Sequence, residues 1–556
     1  MQLTSIEAIQ GSGLYSPLAG QDVRTRGVVT GTTRRGFFLQ DPEGDPEGSA
    51  SVGIFVYERR GKPQVGSLVE VSGRAVDYTA GDNARPTTQI EERETVIIRE
   101  DGPKVEPVWL TAERVGVPHE ELIVLLNSLE GMLVGLVKGS TFAAPSNPFG
   151  DYVVIPPGAS LQRTQMGGVL INPALPEQWL PGFRILDYGD APCVHVGAEL
   201  LSPIVGPLNF RSDSYQIAAT GPVRVGRSPV SLQPTALVGQ GTAITVLTLN
   251  GFNLDAHVED AAAVNDPRRD VDDDLQDGRF ATLGEAIARD AQSPDIVALQ
   301  EIQDDDGAEI SEVVTARRTL ERLITDVMHA GGPKYAWADI PPEVGADGGQ
   351  PGGNIRNAFL YRPDRLRLVP GSLRRLAEAS VAYEGSRKPL AARFALVEGG
   401  GALEVINVHL ASKRHQNGLF APQNPGFDSR ESLRVDQARL IASELDVLRE
   451  AGVDYYVTGD FNDFEFSATL RELVGMHNTN LVESVPPALR FDYNHRGLSQ
   501  ALMHGVVAKR QLDGRRVDYE ILHANALLGV QPGRAGKKPS DHAYVIARLE
   551  VQSPSE

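Results

Sequence analysis

From about residue 243 onward, short apolar runs alternate with segments of helical periodicity, and this alternation constrains the fold more than any other feature. The candidate strands are ITVLTL (244–249), DIVALQ (295–300), NAFLY (357–361), LEVINVH (403–409), DYYVTG (454–459) and AYVIARL (543–549). Residues 432–452 place leucine and isoleucine near helical spacing and end at a glycine. The sequence therefore predicts a mixed α/β domain over residues 239–556.

Two regions with β character precede this domain. Residues 1–100 contain short alternating segments separated by turn residues, which predict a small β-barrel of the OB type. Such barrels often bind single-stranded nucleic acid through aromatic side chains, although aromatics on strands belong more often to the core. The candidates here are Phe37, Phe38, Phe55 and Tyr57. Residues 101–238 predict a second β-rich domain, interpreted as a structural module.

The net charge of the chain limits how it can bind a polyanion. Its 556 residues carry 53 Lys and Arg against 73 Asp and Glu, a formal net charge of −20. The overall field therefore does not attract nucleic acid or anionic membranes, so local basic groups or bound cations would have to do so. The single cysteine, Cys193, excludes an intrachain disulfide and fits a cytosolic protein or a secreted bacterial protein that avoids thiols. We expect neither a signal peptide nor a membrane span in this sequence.

Polar side chains follow or precede several of the predicted strands. They are Asn250 with Asn253, Glu301, His409 with Lys413, Asp460 with Asn462, and Asp541 with His542. Each is common by itself, but their recurrence at successive strand ends predicts that they converge. Proteins usually bind Mg²⁺ through one or two carboxylates, and the ion keeps several of its water ligands. The sequence therefore predicts a metal site.

An acidic segment, NDPRRDVDDDLQDG (265–278), lies between the first two strands of this domain. It lacks the Gly and Glu placement of an EF-hand. We interpret it as a solvated loop, with weak calcium binding left open.

Five stretches of the C-terminal domain resemble one known family. They are SPDIVALQEIQDDDG (293–307), GGQPGGNIRNAFLYRPDR (348–365), SRKPLAARF (386–394), VINVHLASK (405–413) and VTGDFNDFEFS (457–467), with KPSDHAYV (538–545) near the end. The chain resembles the endonuclease/exonuclease/phosphatase superfamily, and within it the large bacterial secreted nucleases with an N-terminal OB-like domain. This resemblance implies an α+β fold whose C-terminal domain is a four-layer αββα sandwich.

The resemblance also implies roles for the polar residues. Glu301 would be the principal metal ligand, completed by Asn250 and Asp541, with Mg²⁺ or Mn²⁺ as the ion and Ca²⁺ left open. Asp460 would orient or deprotonate the attacking water. The remaining catalytic residues would be Asn462, which holds the phosphate, and His409 and His542. Further phosphate contacts are expected from Asn250, Asn253, Arg356 and Lys413, and further positive charge from Lys537 and Lys538.

One position departs from the family pattern. Where relatives have an Asp that pairs with the His equivalent to His542, this chain has Met503, in SQALMHGVV (499–507). A carboxylate partner fixes the tautomer and orientation of a catalytic histidine, which methionine cannot do. Another acid such as Asp492 or Asp518 substitutes, or activity is weakened, or His542 works alone. A further alternative is that RRVDYEIL (515–522) is the true match.

The function expected from these features is divalent-metal-dependent phosphodiester hydrolysis by a nuclease acting on DNA, with RNA left open. The alternatives are a phosphatase or phosphodiesterase for small phosphoesters, and a nucleic-acid-binding protein with a weakened catalytic domain. Nucleic acid is the expected partner; no membrane or protein partner is indicated. By resemblance alone, we expect an extracellular or periplasmic location.

Overall fold

The computed structural model of the chain describes residues 2–58, 61–174, 177–185, 191–231, 233–533 and 538–552. Lys537, which was expected to supply positive charge, lies outside these residues. No helix in the described part of the chain combines the length and apolar character needed to cross a bilayer.

A closed barrel forms first along the chain, as the sequence predicted. Its strands are β1 (Asp22–Thr33), β2 (Gly36–Gln40), β3 (Gly53–Tyr57), β4 (Leu68–Tyr78) and β5 (Thr87–Arg99), in the order β1-β2-β3-β5-β4 with β4 closing on β1. Helix α1 (Ile6–Gln10) begins at the Ser5 cap and buries Ile6 and Ile9 in the barrel core. Phe37 also lies in that core, so it is not part of a binding platform.

The next region forms a seven-stranded sheet in the order β6-β7-β12-β13-β11-β9-β8. Its strands are β6 (Val108–Trp109), β7 (Leu133–Leu136), β8 (Thr141–Phe142), β9 (Asp151–Ile155), β11 (Gly182–Ile185), β12 (Ile204–Arg211) and β13 (Ser214–Ala219). Helices α2 (Ala112–Val115) and α3 (His119–Ser128) lie in the connection from β6 to β7. The second β-rich region predicted from the sequence is therefore present.

Two sheets pack face to face in the C-terminal region. The first has the order β16-β17-β15-β14-β28-β27, with β14 (Ala243–Leu254), β15 (Ile296–Ile302), β16 (Ala336–Asp339), β17 (Arg356–Tyr361), β27 (Val517–Leu522) and β28 (Tyr544–Glu550). The second has the order β18-β20-β21-β22-β26-β23, with β19 on β20; the strands are β18 (Leu366–Leu368), β19 (Arg374–Arg375), β20 (Leu390–Leu396), β21 (Ala402–His409), β22 (Tyr455–Asp460), β23 (Asn478–Asn480) and β26 (Met503–Ala508). All six strands predicted here are confirmed.

Helices cover the outer faces of both sheets. On the first lie α4 (Arg279–Glu285), which continues as a π-helical turn over Ala286–Asp290, and α5 (Arg317–His329). On the second lie α6 (Glu431–Glu450), close to the predicted helix, and α7 (Ala468–Val474). A separate apolar cluster fills the space between the sheets. The architecture is thus the predicted four-layer sandwich, with a short helix α8 (Ala524–Leu527) before the last strand.

A small three-stranded sheet joins the middle region to this sandwich. Strand β10 (Val169–Leu170) pairs in parallel with β25 (Leu498–Gln500), which pairs with β24 (Tyr493–His495). The hairpin that precedes β26 is therefore supported by residues more than 300 positions earlier in the chain.

Buried polar side chains connect the two large sheets just beneath their strand ends. Thr248 of β14 and Thr458 of β22 lie 2.5 Å apart through their hydroxyls. Gln300 of β15 donates to Asn407 of β21 at 2.7 Å, and the Asn407 amide donates to the Leu299 carbonyl at 2.8 Å. A shift of one sheet relative to the other would leave these buried amides without hydrogen-bond partners, which is unfavourable. The bonds therefore favour one register of the two sheets.

The acidic segment 265–278 is only in part the solvated loop that the sequence predicted. Asp274 is fully buried and Asp270 is 8% exposed. Asp274 pairs with the buried Arg279, which stabilises a carboxylate that would otherwise be costly to bury.

Gly459 allows β22 to pass close to β21 just before Asp460. Its φ is +141°, and an added Cβ would lie 1.9 Å from the Val408 carbonyl oxygen. We therefore expect Gly459→Ala to lower the free energy of unfolding by about 3 kcal/mol or more, measured by urea denaturation. Gly452→Ala is the matched control, because Gly452 has φ +69° with open space around it and should cost about 1 to 2 kcal/mol. Equal losses in the two variants would contradict this account.

Candidate functional site

Four predicted residues meet where strands of the two facing sheets end. We call Asn250, Glu301, His409 and Asp460 the strand-end cluster. His409 Nε2 lies 3.7 Å from Glu301 Oε1 and 3.6 Å from Asp460 Oδ2. The Asn250 amide donates to Glu301 Oε1 at 3.2 Å and lies 3.5 Å from Asp460 Oδ2. The predicted convergence of strand ends is therefore present for these four residues.

A break in strand pairing places Glu301 in the cluster. The register between β15 and β17 shifts between Leu299 and Ile302, and Glu301 has a φ of +52°. Such bulges redirect a side chain from the regular alternation of a strand, and positive φ in a glutamate is unfavourable unless its surroundings hold it. Asn462, two residues after Asp460, also has positive φ, at +51°. Backbone conformations of this kind concentrate at functional sites.

The cluster concentrates negative charge in a buried place. Burial raises the pKa of Glu301, and the neighbouring charge of Asp541 raises it further. Burial likewise raises the pKa of Asp460. Burial holds the pKa of His409 well below its usual range, with the charge of Arg387 adding to the effect, so its imidazole is neutral.

This donor set fits a hard divalent cation. Glu301, His409 and Asp460 each offer a ligand atom within 4.8 Å of the others. A cation would remove the repulsion that raises the carboxylate pKa values, and carboxylate oxygen suits Mg²⁺ or Mn²⁺. The residues therefore fit a divalent cation, which Glu301 could hold with Asp460 and Asp541 close by.

His542 has a carboxylate partner despite Met503. Its Nδ1 lies 2.8 Å from Asp492 Oδ1, and its Nε2 lies 3.6 Å from Asp460 Oδ2. The backbone amides of Leu502 and Met503 donate to Asp492 Oδ2 at 2.7 and 3.0 Å. Asp492 is fully buried and occupies the position of the carboxylate that orients His542. Its second oxygen is held by backbone amides at the start of β26 and just before it, where the resemblance placed the acid.

The charge state of His542 follows from these neighbours. Burial opposes the imidazolium, but the charge of Asp460 and the hydrogen bond to Asp492 outweigh it and raise the pKa of His542 to about 10. The Tyr493 ring packs at 4.8 Å between ring centroids. His542 is thus a fixed imidazolium that keeps Nε2 directed toward Asp460.

Asp518 does not contact His542. It lies on β27 and pairs with Arg516 and Arg548. Asp518 is therefore excluded as the source of the orienting carboxylate. The alternative match to residues 515–522 is excluded with it.

Asn462 and Asp541 adjoin the cluster, and Asn253 lies near it in sequence. The side-chain amide of Asn462 donates to Asp460 Oδ2 at 3.2 Å, and its backbone amide donates to Asp460 Oδ1 at 2.8 Å. Asp541 acts electrostatically on both Glu301 and Asp460. Asn253 is half-buried, with φ +56°, at the distal end of β14.

Arg356, predicted to contact phosphate, is buried and already paired. Arg356 is 2% exposed, pairs with Asp339 at 3.3 Å and donates to the Asn354 carbonyl at 3.0 Å. Lys413 pairs with Asp428 at 3.1 Å and lies 3.7 Å from Asp463, over the Phe464 ring, so its charge is partly neutralised.

Two cations that sequence reasoning missed lie nearer the cluster. Arg387 is 6% exposed, donates to the Leu410 carbonyl at 3.0 Å, and acts on the charges of Glu301 and Asp460. Arg414 is exposed, and its charge lowers the pKa of His409. Arg387 lies within SRKPLAARF, so the signal was present in a stretch that carried the resemblance without an assigned role.

Two family models match parts of the chain. Residues 251–502 match the model of the Endonuclease/Exonuclease/phosphatase family, and residues 82–228 match a domain of unknown function. A search of curated proteins finds no match.

Solved structures give weak overall similarity. The human Nocturnin catalytic domain with bound sulfate is 15% identical with a TM-score of 0.36, over 57% of this chain and 97% of that one. A family protein from Bacteroides thetaiotaomicron is 19% identical with a TM-score of 0.35, over 57% and 96%. Truncated TDP2 from Caenorhabditis elegans is 13% identical with a TM-score of 0.35, over 56% and 98%.

Removing the Asp492 charge should change the titration of His542. We expect Asp492→Asn to lower the pKa of His542 by about 1 to 3 pH units, because the imidazolium loses an ionic partner. The substituted amide oxygen still accepts from the two backbone amides, so the fold should persist. Histidine NMR resonances followed against pH measure the change. Asp518→Asn is the control and should leave the pKa unaltered; an unaltered pKa in Asp492→Asn would refute the pairing.

Proposed function

Residues 251–502 form a domain of the endonuclease/exonuclease/phosphatase family, and from this premise we propose that the protein is a divalent-metal-dependent nuclease that hydrolyses phosphodiester bonds in DNA. Membership in this family supports phosphoester hydrolysis. The observation that carries the proposal is the meeting of Glu301, Asp460 and His542 at one place, with Asp492 orienting the histidine.

The residues divide the work of hydrolysis among them. Glu301 would hold the cation together with Asp541 and Asn250. When bound, Mg²⁺ or Mn²⁺ supplies stabilisation of the charge that develops on the phosphate oxygens. Asp460, held by Asn462, orients the attacking water and accepts its proton. The water oxygen bonds to phosphorus as the bond to the leaving oxygen breaks.

His542 would contact the substrate from its position beside Asp460. As an imidazolium it donates a hydrogen bond from Nε2 to a phosphate oxygen, where negative charge grows in the transition state. Asp492 fixes Nδ1 and thereby the direction of Nε2. The absence of an acid at position 503 favoured the alternative of a nucleic-acid-binding protein with a weakened catalytic domain. The contact of Asp492 with His542 argues against that alternative.

A cleft lined by side chains of the barrel and of the middle sheet supports a polymeric substrate. Its lining includes Arg34 and Arg35, which are exposed, and the partly buried rings of Phe55 and Tyr57. Arginines track a phosphate backbone, and aromatic rings accept stacked bases without regard to sequence. Arg34 and Arg35 supply local positive charge to the cleft, whose lining also includes Asp82, Glu91, Glu130 and Asp213.

The cleft is connected to the catalytic region by direct contacts. Ser212 and Asp213 lie on its rim. Arg496, in the turn after β24, donates to the Ser212 carbonyl at 2.8 Å. Tyr493 of the same hairpin packs on His542, so this hairpin contacts both the site and the residues that line the cleft.

Metal-dependent cleavage tests the proposed activity. We expect supercoiled plasmid to be nicked with Mg²⁺ or Mn²⁺ and not with chelator. Glu301→Gln should lower the rate by about 10²-fold or more, because the neutral amide holds the cation poorly. Glu398→Gln, on the exposed surface, is the control and should cleave like the wild type. Cleavage of small phosphodiesters without cleavage of plasmid would reject the nuclease in favour of a phosphodiesterase.

The cleft arginines test the choice of a polymer. The double variant Arg34→Glu, Arg35→Glu should lower kcat/KM for DNA by about 10-fold or more and reduce its salt dependence, since two phosphate contacts are lost. Hydrolysis of bis-p-nitrophenyl phosphate should not change, because the strand-end cluster is untouched. The double variant Arg93→Glu, Arg99→Glu, with both residues on β5 and outside the cleft lining, is the charge-matched control. An equal loss on both substrates would contradict a role in polymer binding.

A further inference from the structure

A second group of carboxylates lies apart from the strand-end cluster. We call Asp255, Glu259, Asp272 and Asp274 the acidic pocket. Asp255, Asp272 and Asp274 each offer an oxygen within 4.8 Å of the other two. Asp255 is 1% exposed, Asp274 is fully buried and Glu259 is 5% exposed. Acids on solvated loops do not converge in this way below the surface.

One oxygen of the pocket is buried without a partner. Asp255 Oδ1 accepts from the His257 backbone amide at 2.9 Å, whereas Asp255 Oδ2 is buried and has no hydrogen-bond partner among the described residues. A buried carboxylate oxygen left in this state is costly, and native structures satisfy it with a donor, a water or an ion. Its presence inside a group of three converging carboxylates favours an ion.

The basic side chains of Arg279 and His257 lie beside the pocket. Arg279 pairs with Asp274 and also donates to the Gly251 and Phe252 carbonyls, at 2.6 and 2.8 Å. His257 is engaged with Glu309, at 2.9 Å.

The acids of the pocket act electrostatically on one another. Burial, followed by the charges of Glu259, Asp274 and Asp272, raises the pKa of Asp255 to about 9. A bound divalent cation would reverse this effect.

We propose that the acidic pocket binds a structural Ca²⁺ ion. Its side chains offer carboxylate oxygen only, which selects a hard cation over zinc or copper. Ca²⁺ accepts six to eight oxygens in irregular geometry, whereas Mg²⁺ retains several waters that a buried pocket has little room for. The acidic segment thus binds calcium without an EF-hand.

The ion would connect the two strand extensions that carry the catalytic metal ligands. Asp255 directly follows β14, which holds Asn250. Glu259 accepts from the Ala308 backbone amide at 3.3 Å, beyond the end of β15 and Glu301. An added Cβ at Gly307 would lie 2.5 Å from a Glu259 carboxylate oxygen, so this segment already packs against the pocket. Calcium therefore ties together the segments that follow Asn250 and Glu301.

Thermal unfolding of the full chain with CaCl₂ tests this site. After treatment with chelator and its removal, we expect Ca²⁺ to raise the Tm by about 5 °C at 100 times its dissociation constant, and equal Mg²⁺ to raise it less. Asp255→Asn should abolish the Ca²⁺ response while leaving the metal-free Tm equal or higher, because the neutral amide removes a buried carboxyl that interacts unfavourably with the neighbouring acids. That inverted pattern separates loss of the site from misfolding.

Two further variants complete the test. Glu301→Gln should keep the full Ca²⁺ response, which excludes the strand-end cluster as its source. Asp272→Asn should lose the response and serves if Asp255→Asn does not fold. Absence of a Ca²⁺ shift in the wild type, a Mg²⁺ shift of equal size, or a response that persists in both pocket variants would overturn the proposal. The result is independent of nuclease activity.

Discussion

The site depends on the polar contacts that hold two sheets in one register. Asn407 of β21 donates to the Leu299 and Ala358 carbonyls of the opposite sheet and accepts from Gln300. Apolar packing alone tolerates small displacements between sheets, whereas buried amides lose their partners when the sheets slide. Since Glu301 follows Gln300 and His409 lies two residues beyond Asn407, this layer sets the distance between opposing halves of the cluster.

The middle region has a structural role at the site, beyond that of a spacer. Its strand β10 pairs with β25, and the Asn494 side chain donates to the Ala143 carbonyl at 2.9 Å. The hairpin so held contains Tyr493 and directly follows Asp492. The acid that orients His542 therefore comes from a segment whose position depends on the second β-rich region, and not from β26, where the family pattern places it.

Local sequence patterns predicted the strands, whereas contacts between residues distant in sequence determined the partners of the charged side chains. The apolar runs before Asn250, Glu301 and Asp460 indicated strands, because a strand that is buried on both faces of its sheet consists mostly of apolar residues. Arg356 was assigned to phosphate because a sequence shows charge but not its partner, and Asp339 neutralises it. The role of Asp492 depends on a contact across 50 residues.

The location of the catalytic cation is the most direct test of this account. Crystals of the full chain grown or soaked with Mn²⁺ would give an anomalous difference map at the manganese edge. We predict a peak in contact with a Glu301 carboxylate oxygen, beside Asp460 and within reach of Asp541. Ordered crystals with manganese bound elsewhere and no peak at Glu301 would contradict the claim that the strand ends form one metal-dependent hydrolytic site.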